Sequence, residues 1–135
     1  MPFVEIFVAE TRPAEQRRGL ADAVHRALVE TVDVPKDDRF QAIHVHAKND
    51  LIYDPHYLGI SRTPEFVAIR ITLRAGRSLE KKQALYRAIV NRAHDAIGIR
   101  PEDVLIVLCE NQALDWSFGA GVAQYAVAAT KPEAR

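Results

Sequence analysis

The pattern of apolar and polar residues predicts a strand, a helix and a second strand in the first third of the chain. Residues Phe3 to Val8 form a short apolar run typical of a strand, and Pro13 then stands where the first turn of a helix tolerates proline. Pro35 is predicted to end that helix, and Phe40 to Ala47 to form the second strand. The helix is predicted from an apolar stripe that can cover a sheet, made of Leu20, Ala23, Val24, Ala27, Leu28 and Val32.

The same order of elements returns 65 residues later. A strand is predicted over Phe66 to Leu73, a helix over Leu79 to Ile97 and a strand over Val104 to Glu110. We infer a duplication, in which each half is a right-handed β-α-β crossover with parallel strands. The pairs of residues that this offset aligns include Ile6 with Ile71, Arg12 with Arg77, Glu15 with Glu80, Leu20 with Leu85 and Asp38 with Asp103.

These elements predict one α+β domain over residues 1–135, in which two tandem β-α-β units form a four-stranded mixed sheet with both helices on one face. The repeats span 2–47 and 66–110, a linker covers 48–65, and a tail covers 119–135. The linker is long for so small a domain, which indicates a functional or docking loop. We expect the tail beyond Gly121 to add a short edge element and Lys131 to Arg135 to fray.

Helices on one face leave the other face of the sheet bare. We therefore expect that the two helices cannot cover all the apolar residues of the strands, and that contact between subunits buries the rest. The strand residues in question are Ile43, Val45, Ile69, Ile71, Ile106 and Leu108.

Composition narrows the classes of partner and the compartment. The chain has 18 basic and 18 acidic side chains, so no charge excess favours nucleic acid or an anionic membrane, and a small molecule or a protein is the expected partner. Apolar runs fall short of the roughly 20 residues that a membrane span needs. The single cysteine, Cys109, cannot form an internal disulfide, which suits a reducing compartment and predicts a cytoplasmic protein.

Pro2 is a candidate catalytic residue because a strand is predicted to begin at the next position, which would hold its nitrogen rigidly. If Met1 is removed, Pro2 presents a secondary amine that can act as a base, an acid or a nucleophile; if Met1 stays, that nitrogen is a non-basic amide. By itself a proline at position 2 indicates an ordinary second residue rather than a catalytic one.

Charged residues at two predicted strand ends support a site for an acid. The turn Arg74 to Arg77 offers two guanidiniums around a glycine, which suits a carboxylate, although a solvated basic turn explains it as well. Arg12, its counterpart in the first half, is expected to serve packing or a neighbouring subunit. Asp38 either satisfies turn N–H groups, as its counterpart Asp103 suggests, or orients water or an ammonium.

Aromatic residues follow the last predicted strand, where Trp116 and Phe118 can wall off a polar site from water and Tyr125 can join them; core packing is the alternative. His44 and His46 are two residues apart on a predicted strand and point to the same side, as two histidines that bind one metal ion would. No third ligand accompanies them, so we expect buried or interface histidines and no metal site.

Taken together, these features resemble the tautomerase superfamily, and within it malonate semialdehyde decarboxylase. The resemblance spans nearly the whole chain and implies a MIF-like fold, a homotrimer, no cofactor and a small carboxylate substrate. It assigns catalytic roles to Pro2, Asp38, Arg74 and Arg77, and a hydrophobic wall to Trp116 and Phe118. The segments that carry it are Met1 to Val4, Val34 to Pro35, Asp38 to Gln41, Leu58 to Gly59 with Arg62, Arg74 to Ser78, Glu110 to Asn111 and Asp115 to Gly119.

The resemblance implies cofactor-independent decarboxylation of a 3-oxo acid such as malonate semialdehyde, by a lyase that uses its amino-terminal proline. The alternatives are a keto-enol tautomerase, a hydratase or dehalogenase of small unsaturated acids, or a non-catalytic trimeric binding protein. One residue separates the arginines in the best-known decarboxylases, whereas Ala75 and Gly76 separate them here. Arg77 keeps its relation to the helix start, so substrate choice is expected to depend on Arg74.

Overall fold

Two β-α-β units share one sheet in the computed structural model, which describes residues 1–126. The strands lie in the order β2-β1-β3-β4, with β1 parallel to β2, β3 parallel to β4, and β1 antiparallel to β3. This arrangement confirms the predicted fold class. The elements are β1 (Phe3–Ala9), α1 (Ala14–Val32), β2 (Gln41–His46), β3 (Val67–Arg74), α2 (Leu79–Ile97) and β4 (Val104–Asn111).

The helix ends follow from local chain chemistry. Pro13 caps α1 in an extended conformation rather than opening its first turn, and Ser78 caps α2 by accepting a hydrogen bond from the Lys81 N–H at 3.2 Å. α1 ends where Asp33 turns left-handed, at φ 60°, before Pro35 is reached. Gly98 ends α2 in the same way at φ 73°, a conformation that glycine adopts without strain.

The core lies between the sheet and the two helices. Leu20 and Leu28 of α1 and Leu85 and Ile89 of α2 are at most 1% exposed, and they cover the inward side chains of the central strands. None of the described helices is both long and apolar enough to cross a membrane. The strand residues in this core are Val4, Ile6, Val8, Val67, Ile69, Ile71 and Leu73.

The helices cover some of the six apolar strand residues and not others, as expected, and Ile69 and Ile71 are among those that they cover. They are 1% and 0% exposed, because alternate residues of β3 point to opposite faces and these two point toward the helices. Ile43 and Val45 share that face but lie on the edge strand β2, where they are 36% and 46% exposed. Ile106 and Leu108 pack partly against the core.

The face that the helices leave open carries charge at its centre. Glu5 accepts two hydrogen bonds from Arg70 at 3.0 and 3.1 Å, and one from His44 at 3.1 Å. Arg70, foremost by hydrogen bonding, holds the pKa of Glu5 below its ordinary value. Phe7 stacks on His44 with ring centroids 4.6 Å apart. Burial of this face between subunits stays a prediction.

The linker between the units is held by side chains at both of its ends. Arg62 donates to the carbonyls of Asp54, Tyr57 and Ile60 at 3.1–3.3 Å, which closes a compact loop. Tyr53 stacks on Phe66, and a cavity of about 580 Å³ lies between the linker and the carboxyl end of β1. The predicted tail begins inside the described residues, but its positions 127–135, including Lys131 to Arg135, lie outside them.

Candidate active site

Four strand ends meet at one edge of the sheet. β1 and β2 start there and β3 and β4 finish there, since the two pairs run in opposite directions. Phe3 pairs with Thr72, and the Val4 N–H donates to the Phe40 carbonyl at 3.0 Å. The segments that precede β1 and β2 therefore lie beside the segments that follow β3 and β4.

The amino terminus is buried at this edge. Pro2 is buried directly before β1, and Met1 is 6% exposed. The Met1 ammonium donates to the Asp38 carboxylate, whose side chain is 16% exposed. The structure thus brings an amine and a carboxylate together at the start of β1.

Asp38 lies in a connector that is tied to α1 on both sides. Its N–H donates to the Pro35 carbonyl at 3.0 Å, which forms a turn. One residue further on, Arg39 donates to Asp22 of α1 at 2.6 Å. The Asp38 carboxylate contacts the terminal ammonium.

Arg77 lies at the start of α2 with its charge partly withdrawn from water. It donates to the Arg74 carbonyl at 2.8 Å and to the Val32 carbonyl at 3.4 Å. Burial, and secondarily the positive charge of Arg74, lower the pKa of Arg77. Gly76 adopts φ 119°, which an L side chain rarely adopts, and so lets the chain turn between the arginines. A partly buried guanidinium close to a second, exposed one favours an anion.

Arg74 and Arg77 differ in their surroundings. Arg74 ends β3 with an exposed side chain, and the next N–H, that of Ala75, donates to the Asn111 carbonyl at 2.7 Å. The bond from Arg77 reaches the backbone of Arg74 and leaves the Arg74 side chain at the surface. Arg77 is therefore the better held of the two.

The aromatic residues predicted to form a wall lie against one another. Trp116 and Phe118 stack with centroids 5.4 Å apart, and Tyr125 meets Phe118 edge-on at 5.4 Å. Trp116 also donates from Nε1 to the Asn111 side chain at 2.8 Å, which ties the wall to the end of β4. Phe40 joins the cluster at 5.9 Å from Phe118. The sequence analysis missed its role, for which the only signal is its position two residues after Asp38.

Asp103 and Arg12, the counterparts of Asp38 and Arg77, lie at the other edge of the sheet. Both form hydrogen bonds with residues of the linker. Asp103 is 0% exposed and accepts from the Thr63 N–H and hydroxyl at 2.7 and 2.6 Å. Arg12, 6% exposed, donates to Gln16 at 3.0 Å and to the Glu65 carbonyl and carboxylate at 2.7 and 3.2 Å. Arg12 thus serves packing within its own chain.

His44 and His46 lie away from the edge of the sheet that carries Pro2 and Asp38. His44 and His46 both contact Phe7 on the open face of the sheet, with centroids 4.6 and 5.8 Å from it. Within residues 1–126, no three His, Cys, Asp or Glu side chains form a group able to hold a metal ion.

Comparisons with known proteins agree with this arrangement. Residues 38–119 match the Tautomerase_2 family and residues 2–60 the Tautomerase family, both described as tautomerase enzymes. A Bacillus subtilis (strain 168) protein named probable tautomerase YusQ is 44% identical over 92% of this chain and 98% of its own.

Solved structures give the same result. The crystal structure of FG41 malonate semialdehyde decarboxylase inhibited by 3-bromopropiolate is 42% identical, with a TM-score of 0.89 over 94% of this chain and 96% of that one. A second malonate semialdehyde decarboxylase, described with decarboxylase and hydratase activities and with a proline-to-alanine mutant, is 30% identical, with a TM-score of 0.88 over 96% and 99%. A fused 4-OT symmetric trimer shares the fold at 22% identity and a TM-score of 0.73, over 96% of this chain and 99% of that one. The chain therefore belongs to the tautomerase superfamily and, within it, to the family that resembles malonate semialdehyde decarboxylase.

Proposed function

We propose that the chain is a cofactor-independent decarboxylase of a small 3-oxo acid such as malonate semialdehyde, and that the amine of Pro2 is its working group. The observation that carries this proposal is the contact of the terminal ammonium with Asp38, at the sheet edge where Arg77 starts α2. Similarity to two malonate semialdehyde decarboxylases supports the choice of reaction.

The proposal requires removal of Met1. The contact of its ammonium with Asp38 supports a cation at this position, and removal of Met1 transfers the terminal amine to Pro2. Pro2 is buried directly before β1, so the strand fixes that amine while the space of Met1 becomes available to a substrate.

The arginines bind and orient the substrate carboxylate in this proposal. A guanidinium on a carboxylate also stabilises the ground state, so binding alone does not accelerate its loss. The gain comes from holding the breaking carbon–carbon bond perpendicular to the carbonyl plane, where its electrons overlap with the carbonyl π system. Arg77 takes the main share because its side chain is partly buried and hydrogen-bonded, whereas that of Arg74 is exposed.

The departing electrons need an acceptor, which Pro2 supplies in one of two ways. As an ammonium it donates a hydrogen bond to the aldehyde oxygen; as a neutral amine it condenses with the aldehyde, releases water and forms an iminium. In both routes the bond to the carboxylate breaks, carbon dioxide leaves, and the electron pair forms an enol or an enamine. Protonation at carbon, followed by hydrolysis in the second route, gives acetaldehyde.

Asp38 and the aromatic wall tune this chemistry. The Asp38 carboxylate holds the ammonium or a water molecule, as its contact with the terminal amine suggests. Trp116, Phe118 and Tyr125 lower the local polarity, which strengthens the interactions between charges at the site. The roles of all these residues are part of the proposal.

Hydration of a small unsaturated acid is the second candidate, because an aspartate beside the amine can activate water and one relative is described with both activities. Keto-enol tautomerisation uses the same proline as a neutral base, and the Bacillus subtilis relative carries a tautomerase name. A pH–rate profile separates these reactions: tautomerase activity rises as the amine loses its proton, whereas hydration falls.

The decisive experiment incubates pure protein with malonate semialdehyde and follows acetaldehyde by NMR, after intact mass has shown whether Met1 is present. Pro2→Ala replaces the secondary amine by a primary one, and Pro2→Leu is designed to retain Met1. Product from the wild type and none from Pro2→Leu supports the proposal. Absence of acetaldehyde from a protein lacking Met1 rejects it. Borohydride that fixes substrate mass on the amino terminus identifies the iminium route.

We extend the proposal to assembly and location. A homotrimer would bury the open face of the sheet, where Phe3, Leu105 and Val107 are 37–44% exposed, and a trimeric structure with this fold supports it. Sedimentation equilibrium tests it, and a monomeric mass would reject it. The cytoplasmic location stays a prediction.

A further inference from the structure

His25 is a buried histidine of α1 that none of the steps above uses. It is 9% exposed, and its Nε2 lies 2.7 Å from the Lys36 carbonyl oxygen. A carbonyl oxygen only accepts, so Nε2 carries the hydrogen and donates it. His25 therefore ties the middle of α1 to the connector that carries Asp38.

That connector has little regular structure of its own. α1 ends at Val32, and Asp33 adopts the left-handed conformation. A single turn then leads to Asp38, closed by its N–H on the Pro35 carbonyl at 3.0 Å. The position of the Asp38 carboxylate thus depends on side chains that hold the connector from outside.

Two such contacts flank Asp38. Two residues before it, Lys36 is held by His25 at 2.7 Å, and one residue after it, Arg39 is held by Asp22 at 2.6 Å. Both holding residues belong to α1, one turn apart. The helix therefore presents a two-point clamp, and the carboxylate that meets the terminal ammonium lies between the two points.

We infer that His25 is a positioning residue, which sets the Asp38 carboxylate against the amino-terminal amine through the Lys36 carbonyl. Its catalytic consequence rests on the proposed function, but its effect on the amine does not. The hydrogen bond from the terminal ammonium to Asp38 must break before that nitrogen can attack an electrophile, so displacing Asp38 makes the amine more reactive as a nucleophile.

Three variants test the hydrogen bond. His25→Gln keeps an N–H donor at the reach of Nε2, whereas His25→Leu removes the donor at similar volume, and His25→Met provides a second non-donor if the leucine variant does not fold. A cavity of about 510 Å³ borders His25, Lys36 and Asp37, which leaves room for the glutamine amide. Near-UV circular dichroism verifies that each variant is folded.

The first measurement is reductive alkylation of the terminal amine by propanal and cyanoborohydride, followed by intact mass. The amine adds to the aldehyde, water leaves, and hydride reduces the iminium to the alkylated amine. We expect His25→Leu and Asp38→Asn each to speed alkylation at least threefold, His25→Gln to match the wild type, and the double variant to exceed neither single variant. The readout applies to the chain that retains Met1, whose ammonium is the one in contact with Asp38, so intact mass first verifies that Met1 is present.

The second measurement is turnover of malonate semialdehyde. We expect His25→Leu to lower kcat at least tenfold with KM changed less than twofold, since the arginines are untouched, and His25→Gln to restore kcat. A wild type that alkylates with Met1 present but makes no acetaldehyde once Met1 is removed rejects the proposed function and leaves the alkylation test of His25 intact. Wild-type alkylation rates in folded His25→Leu, or effects of His25→Leu and Asp38→Asn that add in full, overturn the inference.

Discussion

Asp38 and Asp103 occupy equivalent positions in the two units, and replacing each by alanine is predicted to give opposite phenotypes. Asp103 is 0% exposed and accepts from the Thr63 N–H and hydroxyl at 2.7 and 2.6 Å. Asp103→Ala leaves both donors without an acceptor in a water-poor site. Hydrogen bonds to a charged group contribute about 1.5–3 kcal/mol each, and Thr63 is partly exposed and regains some water, so we expect a loss of about 3 kcal/mol in the free energy of unfolding.

Asp38→Ala removes a different kind of contact. The Asp38 side chain is 16% exposed and meets a terminal ammonium rather than buried backbone groups. A partly solvated ion pair contributes about 1 kcal/mol or less to stability. Asp38 acts on the reacting amine in the proposed function, however, so we expect Asp38→Ala to lower kcat about a hundredfold.

Urea unfolding, followed by circular dichroism at one fixed protein concentration, measures both variants, because the midpoint of an oligomer depends on concentration. With a slope of about 2 kcal/mol per molar urea, Asp103→Ala lowers the midpoint by about 1.5 M, and Asp38→Ala by about 0.5 M or less. Thr63→Val is the matched control, since it deletes only the hydroxyl bond and should give about half the loss of Asp103→Ala. Equal losses for the two aspartate variants, or full activity in Asp38→Ala, would refute the division of roles.

Three further outcomes follow from the geometry. Arg77→Gln should raise KM for the 3-oxo acid at least tenfold and Arg74→Gln by less, because the Arg77 side chain is partly buried; equal effects in steady-state kinetics would contradict this. The pKa of Glu5 lies below its ordinary 4.5 because Arg70 donates hydrogen bonds to it, so its stabilising contribution is present above that value and is lost as pH falls through the lowered one. Arg70→Met should therefore lose less stability than the wild type on acidification from about pH 5 to 3, by under about 1 kcal/mol in urea titrations, since Arg70 is half-exposed. Trp116→Leu breaks the Nε1 bond and opens the wall, and should lower kcat severalfold while leaving the unfolding midpoint within about 0.5 M.

The elements and their topology were predictable because periodicity reports them directly. The predicted bounds of α2, Leu79 to Ile97, agree with the structure, and the strand bounds differ by one residue at some ends. The buried face of β3 was predictable, since Ile69 and Ile71 alternate with Arg70. The order of the strands was not predictable from this alternation, so Ile69 and Ile71 on a central strand could not be distinguished from Ile43 and Val45 on the edge strand β2.

The candidate site was predictable only as a set of residues at strand ends. The order of strands brings Pro2, Asp38 and Arg77 to one edge of the sheet. Phe40 and His25 were missed because their roles depend on contacts between elements, with Phe118 and with the Lys36 carbonyl. A backbone carbonyl as partner leaves no mark in a sequence.

The hydrogen bonds of Arg12 bear on how many acids one chain can bind at the equivalent positions Arg12 and Arg77. The Arg12 guanidinium donates to Gln16 and to the carbonyl and carboxylate of Glu65. The linker therefore occupies the position at which an external acid would bind. Although the scaffold repeats itself, the proposed function therefore predicts one substrate site per chain. At this edge Arg12 instead holds the linker that connects the two β-α-β units.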